Sequence, residues 1–183
     1  MVFGWFKKEE KTHFDPTNIK VTDLRVGFLL DLNLETFEVT DEFEYDWGED
    51  EFTFEFKLVS ANETYMLHIE NDDELKLTLS KPLLVSKISP DVKTYIMQNE
   101  QAPNQISLAG ITYFQQDESV GYYRNTKDKN SDEFISWTFI ADDSKSVIEI
   151  EQWGEKEFEA SQGQLIDEFS ITNIFPGKET STS

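Results

Sequence analysis

The chain has 183 residues and a formal charge of −21, from 37 acidic against 16 basic residues, and it contains no cysteine. This length fits one domain that buries a core without disulfides or a structural metal, and the missing cysteine excludes thiolate catalysis and thiolate-bound zinc. The charge argues against nucleic acid as a partner, because phosphate binding needs clustered Lys and Arg.

Residues 1–13 precede the first regular pattern, and we expect them to form a flexible leader. Their apolar part, residues 2–6, is too short for a secretory signal, and no later apolar run approaches the ~20 residues of a membrane span. We therefore predict a cytoplasmic protein with no transmembrane segment. Weak membrane contact by the aromatic and lysine side chains of the leader is the alternative.

Apolar and polar residues alternate in the first half of the chain, which is the period of two typical of β-strands. Between residues 37 and 47 the aromatic side chains occupy odd positions, so we expect them all on one face and the acids on the other. The alternation at 52–58 places Thr53, Glu55 and Lys57 outward. His68 takes an outward position in the next strand, and we interpret it as a surface residue rather than a catalytic base.

The string WGEDEF at 47–52 returns as WGEKEF at 153–158. We interpret both as hairpin turns, in which a strand ends on Trp, Gly48 or Gly154 takes a positive φ, and Phe begins the return strand. A calcium loop is the alternative for the first string. An EF-hand, however, needs Gly at its sixth position, Glu at its twelfth and flanking helices, and this context is absent from the pattern.

One short helix is predicted near 90–98, because Ser89 supplies a cap and Pro90 a first-turn proline. On either side the chain repeats itself: 67–75 resembles 148–158, and 51–56 resembles 133–139. We therefore predict a mainly antiparallel all-β fold, in which two similar β-meander halves, about 20–88 and 105–175, form sheets or a barrel-like core. They make up a single domain at 14–176, followed by a disordered tail at 177–183.

The sequence contains no recognisable catalytic, cofactor or metal site. His13 and His68 lack ligand spacing, no GxGxxG or phosphate loop is present, and 37 acids make any pair of neighbouring carboxylates uninformative. We predict no catalytic residue, no cofactor and no metal ligand. An enzyme of unrecognised type stays open, and it would require a deep cleft with a carboxylate of strongly raised pKa.

Six segments carry a resemblance to a known family. In order between residues 15 and 176 they are DPTNIKVTDLRVGFLLDLNLETFEV, EFEYDWG, DDELKLTLSKP, DEFISW, EQWGEKEFEASQG and FSITNIFP. Together they resemble the bacterial domain of unknown function family 4178. The resemblance implies no catalytic residues, since the family has no established activity. Its genes lie beside those of phage-shock-type membrane-stress proteins and spermidine-synthase-like enzymes, which implies an accessory role in envelope stress.

Three functions follow as hypotheses. The first is a non-enzymatic cytosolic module that binds a protein partner through Trp47, Trp153 and Tyr45, whose alternative is strand-end packing. The second is a binder of small cations such as polyamines, which predicts a pocket of converging carboxylates and aromatic faces. The third is the enzyme of unrecognised type. The acidic surface fits cation binding, and it equally fits solubility of a sheet-rich protein.

Overall fold

A computed structural model describes residues 15 and 17–177 of the chain. The predicted leader at 1–13 lies outside the described residues, as does the predicted tail from residue 178 onward. Within the described part the predicted fold class is confirmed, because antiparallel strands predominate and one short α-helix interrupts them. No helix among these residues is long and apolar enough to cross a membrane.

Eleven strands make up the sheet. They are β1 (Leu29–Leu32), β2 (Glu35–Gly48), β3 (Glu51–Val59), β4 (Thr64–Asn71), β5 (Leu75–Leu83), β6 (Gln105–Leu108), β7 (Ile111–Asn125), β8 (Asp132–Ala141), β9 (Ser146–Trp153), β10 (Glu157–Ile166) and β11 (Ile171–Phe175). The helix α1 (Val92–Asn99) connects β5 to β6, and short 3₁₀ turns lie at Val21–Asp23, Val85–Lys87 and Glu168–Ser170.

Eight of the strands form a closed ring. The sheet order is β11-β1-β2-β3-β4-β5-β10-β9-β8-β7-β6, and β2 pairs in addition with β7, so that β2–β5 and β7–β10 close on each other. Each set of four strands is an antiparallel meander. The two meanders meet at one seam between β5 and β10 and at another between β2 and β7, where Tyr45 lies opposite Tyr123.

A glycine faces inward at each seam. A Cβ atom on Gly163 would lie 2.5 Å from the backbone oxygen of Leu79, and one on Gly121 would lie 2.9 Å from the backbone oxygen of Asp46. Backbone atoms of a paired strand cannot move aside without disturbing the ladder. The two meanders therefore approach each other more closely than any side chain would allow.

The outer face of the ring carries two separate apolar clusters. The first covers β2–β5, is closed by β1, β11 and the turn at Val21–Asp23, and is centred on Leu58 and Leu67. The second covers β8–β10, is closed by β6 and α1, and is centred on Trp137 and Phe139. Because both clusters lie outside the ring, the alternate residues of the same strands face inward.

The helix α1 closes the second cluster with Val92 and Ile96, both buried. Its position agrees with the prediction, but its cap does not. Asp91, rather than Ser89, is the N-cap residue, and its carboxylate accepts a hydrogen bond from the backbone N–H of Thr94 at 3.1 Å. A carboxylate at this position accepts a hydrogen bond from a free N–H group of the first turn and interacts favourably with the positive end of the helix dipole.

The two longest strands, β2 and β7, each contain a bulge at which the inward-facing and outward-facing positions exchange. In β2 the register shifts between Val39 and Asp41, and in β7 between Gln115 and Asp117. The prediction that all aromatic side chains of 37–47 share one face is therefore wrong. Before the bulge the odd positions face the outer cluster, and after it they face the ring interior, since an extra residue reverses the alternation. The inward aromatic residues are Phe43, Tyr45 and Trp47.

Both WGE strings form hairpin turns, as predicted. Gly48 has a φ of 86° and ends β2 before the turn to β3, and Gly154 has a φ of 63° in the turn between β9 and β10. The first turn joins the first two strands of its meander, whereas the second joins the last two. The shared string is therefore a turn sequence used at two different places in the topology.

Candidate functional site

The inner face of the ring is polar, although the strands that build it are apolar on their other face. Thr53 and Glu55 point inward from β3, His68 and Glu70 from β4, and the following residues from β8 and β9: Ser136, Thr138, Glu149 and Glu151. The prediction that Thr53, Glu55 and His68 face outward into water is wrong. Ring closure encloses the polar face of each strand, so the side away from the apolar cluster is an interior and not a surface.

This interior holds a cavity of about 360 Å³. Its wall carries four carboxylates, from Glu51, Glu70, Asp117 and Glu149, together with His68, the indole of Trp47 and hydroxyl groups of β3, β5, β7 and β8. Among the described residues no Lys or Arg lines it. Among the described residues, the cavity wall therefore carries acidic side chains and no basic one.

An aromatic cluster borders the cavity at the seam between β2 and β7. Its members are Phe43, Tyr45, Trp47, Tyr123, Phe134 and Trp153. Tyr45, only 5% exposed, lies at its centre, with ring centroids 4.9 Å from Tyr123 and 5.6 Å from both Trp47 and Phe134. The indole rings of Trp47 and Trp153 pack on Phe134 from 5.4 and 5.0 Å.

The three residues predicted to bind a partner, Trp47, Trp153 and Tyr45, thus meet in this one cluster. Trp47 and Trp153 are half-buried. The indole Nε1 of Trp47 donates to the hydroxyl oxygen of Thr53 at 2.9 Å, whereas the Nε1 of Trp153 is buried with no hydrogen-bond partner among the described residues. Partner binding by these residues stays a prediction.

Three glutamates from opposite sides of the ring approach one another beside the cluster. Burial, with the nearby Glu149 carboxylate, raises the pKa of Glu55 to about 8, and the hydroxyl of Tyr45 donates to Glu55 Oε2 at 3.2 Å. Burial, with the charge of Glu70, raises the pKa of Glu149 to about 7. Burial and the carboxylates around it also raise the pKa of Glu151 well above its usual range.

Glu149 differs from Glu55 in having no partner. The ring encloses its side chain, its remaining accessible surface faces the cavity, and no hydrogen bond or ion pair reaches it from any described residue. A half-buried carboxylate without a partner is costly to charge. A cation that enters the cavity would lower this cost, and Glu149 is the group placed to receive it.

His68 is a neutral neighbour of this site. Burial lowers the pKa of His68 to about 4, and its ring meets that of Tyr45 edge-on at 5.0 Å. It therefore adds no positive charge near pH 7. No group of three or more His, Asp and Glu side chains among the described residues is arranged to hold a metal ion.

Sequence reasoning missed Glu55, Glu149, Glu151 and His68 as a group. A weak signal was present, since Glu149 and Glu151 alternate with Ile148 and Ile150 in a strand that lies far from either end of the chain. Acids in the middle of a sheet strand predict a solvated face when the sheet is open. Only the pairing of β2 with β7 turns that face into an interior.

Comparison with known proteins gives a family but no activity. The profile described as "Domain of unknown function (DUF4178)" matches residues 25–168. The chain is 26% identical over 170 residues to an "Uncharacterized protein" of Aquifex aeolicus (strain VF5), an alignment that covers 93% of each chain. No solved structure matches the chain.

Proposed function

Since the chain belongs to the DUF4178 family, whose description names no activity, we propose its function from the site: it is a binding module that takes a small organic cation into the ring interior. The observation that carries the proposal is the cavity wall, in which four carboxylates face one space without a Lys or Arg among the described residues. Buried charges in proteins are normally paired. Glu51 and Asp117 are exposed, and Glu70 pairs with Lys76. Glu149 is therefore the enclosed carboxylate without a partner among the described residues, and a cationic ligand would supply one.

Aromatic and hydroxyl groups favour an organic ammonium over a bare ion. The indole of Trp47 lines the cavity, and an ammonium over an indole face gains about 0.5–2 kcal/mol. Hydroxyl oxygens of Thr78, Ser119 and Thr138 can accept hydrogen bonds from its N–H groups. The volume of about 360 Å³ lies in the range of small-molecule sites, which supports a ligand with an alkyl body.

Isothermal titration calorimetry with butylamine, an ammonium at neutral pH, tests the proposal. Removing the charge of Glu149 in Glu149→Gln should weaken binding about tenfold or more, because a hydrogen-bonded charge pair in an enclosed site is worth ~1.5–3 kcal/mol. Glu155→Gln is the matched control, since it removes the same charge from the exposed turn between β9 and β10. Absence of butylamine binding to the natural chain, or equal binding by Glu149→Gln, would contradict the proposal.

An enzyme is a second candidate, and the raised pKa values of Glu55 and Glu149 are the observation that favours it. A carboxylic acid that stays protonated near pH 7 can donate a proton to a substrate. The geometry names no substrate. A reaction lost in Glu55→Gln, with cation binding retained, would distinguish this candidate from the binding module.

The protein-partner hypothesis ranks below these two. It needs the cluster rings of Trp47 and Trp153 at a surface, and both pack on Phe134. The cytoplasmic location and the accessory role in envelope stress remain proposals. The absence of cysteine supports the first, whereas the family description names no activity and lends the second no support.

A further inference from the structure

We infer that the ligand is a linear diamine, with one ammonium group beside Glu149 inside the ring and the other beside Glu70 at the cavity mouth. The inference rests on the proposed function and adds the number and placement of the charges. It requires a second acidic position, a continuous path between the two, and evidence that the outer position accepts an alkylammonium group.

The path is continuous. A groove of about 590 Å³ lies outside the cavity, between the β2–β3 and β4–β5 turns, and shares Glu51, Thr53 and Glu70 with it. The groove adds Asp50 and the acids of the turn at 72–74. A ligand that leaves the cavity at Glu70 therefore passes along a mainly acidic wall, to which Phe52 adds an aromatic ring and Lys76 an ammonium group.

The outer position already holds an alkylammonium group. The ammonium Nζ of Lys76, a residue of β5 directly opposite Glu70 in the ladder, lies 3.6 Å from Glu70 Oε2. Its butyl stem and primary ammonium have the chemistry of one end of a diamine. Both side chains are partly exposed, at 59% and 44%, so their pairing contributes little and a ligand ammonium can replace it.

The inner position differs from the outer one, because its carboxylate, that of Glu149, is unpaired within the described part of the chain. Glu149 lies within the field of Glu70, whose charge helps to raise the pKa of Glu149, and it has no partner among the described residues. Both carboxylates line the same cavity, so one short molecule inside it can contact both. A monoamine satisfies only one of them and leaves the other to water or to Lys76.

Putrescine and butylamine test the inference by calorimetry, because they share one carbon chain and differ by one ammonium group. We expect putrescine to bind the natural chain about fivefold more tightly, the upper range for a partly exposed charge pair. Glu70→Gln should weaken putrescine more than butylamine, and so remove most of the difference between the two amines. Glu149→Gln should weaken both, and Lys76→Gln should tighten putrescine by removing the competing ammonium.

Three outcomes would overturn the inference. If butylamine binds as tightly as putrescine, the site takes one charge, and the proposed function survives alone. If Glu70→Gln weakens both amines equally, Glu70 acts through the general field rather than on the second ammonium. If magnesium chloride at the same concentration displaces putrescine, binding reflects net charge only. Far-UV circular dichroism of each variant ensures that only folded chains are compared.

Discussion

The two faces of the ring differ in nearly every property that determines stability. The outer face carries two apolar clusters in which Leu58 and Phe139 have no exposed surface at all. The inner face of the same strands carries carboxylates, hydroxyls and a cavity. Neighbouring residues along one strand, such as Phe56 outside and Glu55 inside, therefore lie in opposite environments.

The difference indicates that apolar packing and the polar cavity are assigned to different faces. Burial of apolar surface drives folding, and here it takes place outside the ring, under β1, β11, β6 and α1. Enclosing unpaired carboxylates costs stability. A ring whose outer clusters stabilise the strands can tolerate that cost inside, as the proposed cation site would require.

The largest expected effect comes from breaking the outer face. Trp137 and Ser136 are neighbours in β8, both buried, with Trp137 in the second apolar cluster and Ser136 facing the cavity. Trp137→Ala should lower the free energy of unfolding by about 3–5 kcal/mol, because it leaves a large void and removes the hydrogen bond to Glu118.

Ser136→Ala is the matched control, and it should change stability by less than ~1 kcal/mol, since the hydroxyl borders an existing cavity. Urea denaturation of the two variants measures both values. Equal losses would mean that the inner face contributes as much packing energy as the outer one, and the division between the two faces would fail.

The next effect is a loss of stability as pH rises. Glu55 has a folded pKa of about 8 and Glu149 of about 7, against an ordinary 4.5, so the folded chain holds protons that the unfolded chain has released. Stability from a raised carboxyl pKa is complete below the unfolded value and is lost as pH approaches the folded one. Between pH 7 and pH 9 the free energy of unfolding should fall by about 1–2 kcal/mol.

His68 does not offset this trend in that window. Its pKa is lowered to about 4, so it is neutral when folded and costs stability only below about pH 6.5, where the unfolded imidazole gains a proton. The double variant Glu55→Gln, Glu149→Gln should reduce the pH dependence between pH 7 and pH 9 in thermal melts, and Glu151, whose pKa is also raised, should account for what remains. An unchanged slope would show that these carboxylates are as well solvated as surface acids.

The sequence predicts one face of the ring far better than the other. Period-two alternation in β3 and β4 marks Phe56 and Leu67 as core, and both are buried. The same alternation assigned Glu55 and His68 to water, because a single strand carries no information about what lies across from its polar side. The environment of the polar side depends on the pairing of β2 with β7, whose residues are about 80 positions apart in the sequence. It also depends on bulges, which the spacing of the aromatic residues does not indicate.

The smallest expected effect separates two tryptophans that the sequence treated as equivalent. Trp47 and Trp153 end their strands in matching strings and pack on the same Phe134 ring, but only the indole of Trp47 has a hydrogen-bond acceptor, the hydroxyl of Thr53. Trp47→Phe should lower the free energy of unfolding by about 0.5–1.5 kcal/mol, because it breaks that bond and leaves the hydroxyl without its donor.

Trp153→Phe removes a buried Nε1 that has no partner among the described residues. The smaller ring loses contact area, but the unsatisfied donor is removed as well. Its stability should therefore stay within about 0.5 kcal/mol of the natural chain or rise slightly. A Trp153→Phe loss as large as that of Trp47→Phe in urea denaturation would mean that packing on Phe134, rather than the hydrogen bond, fixes both rings in the cluster.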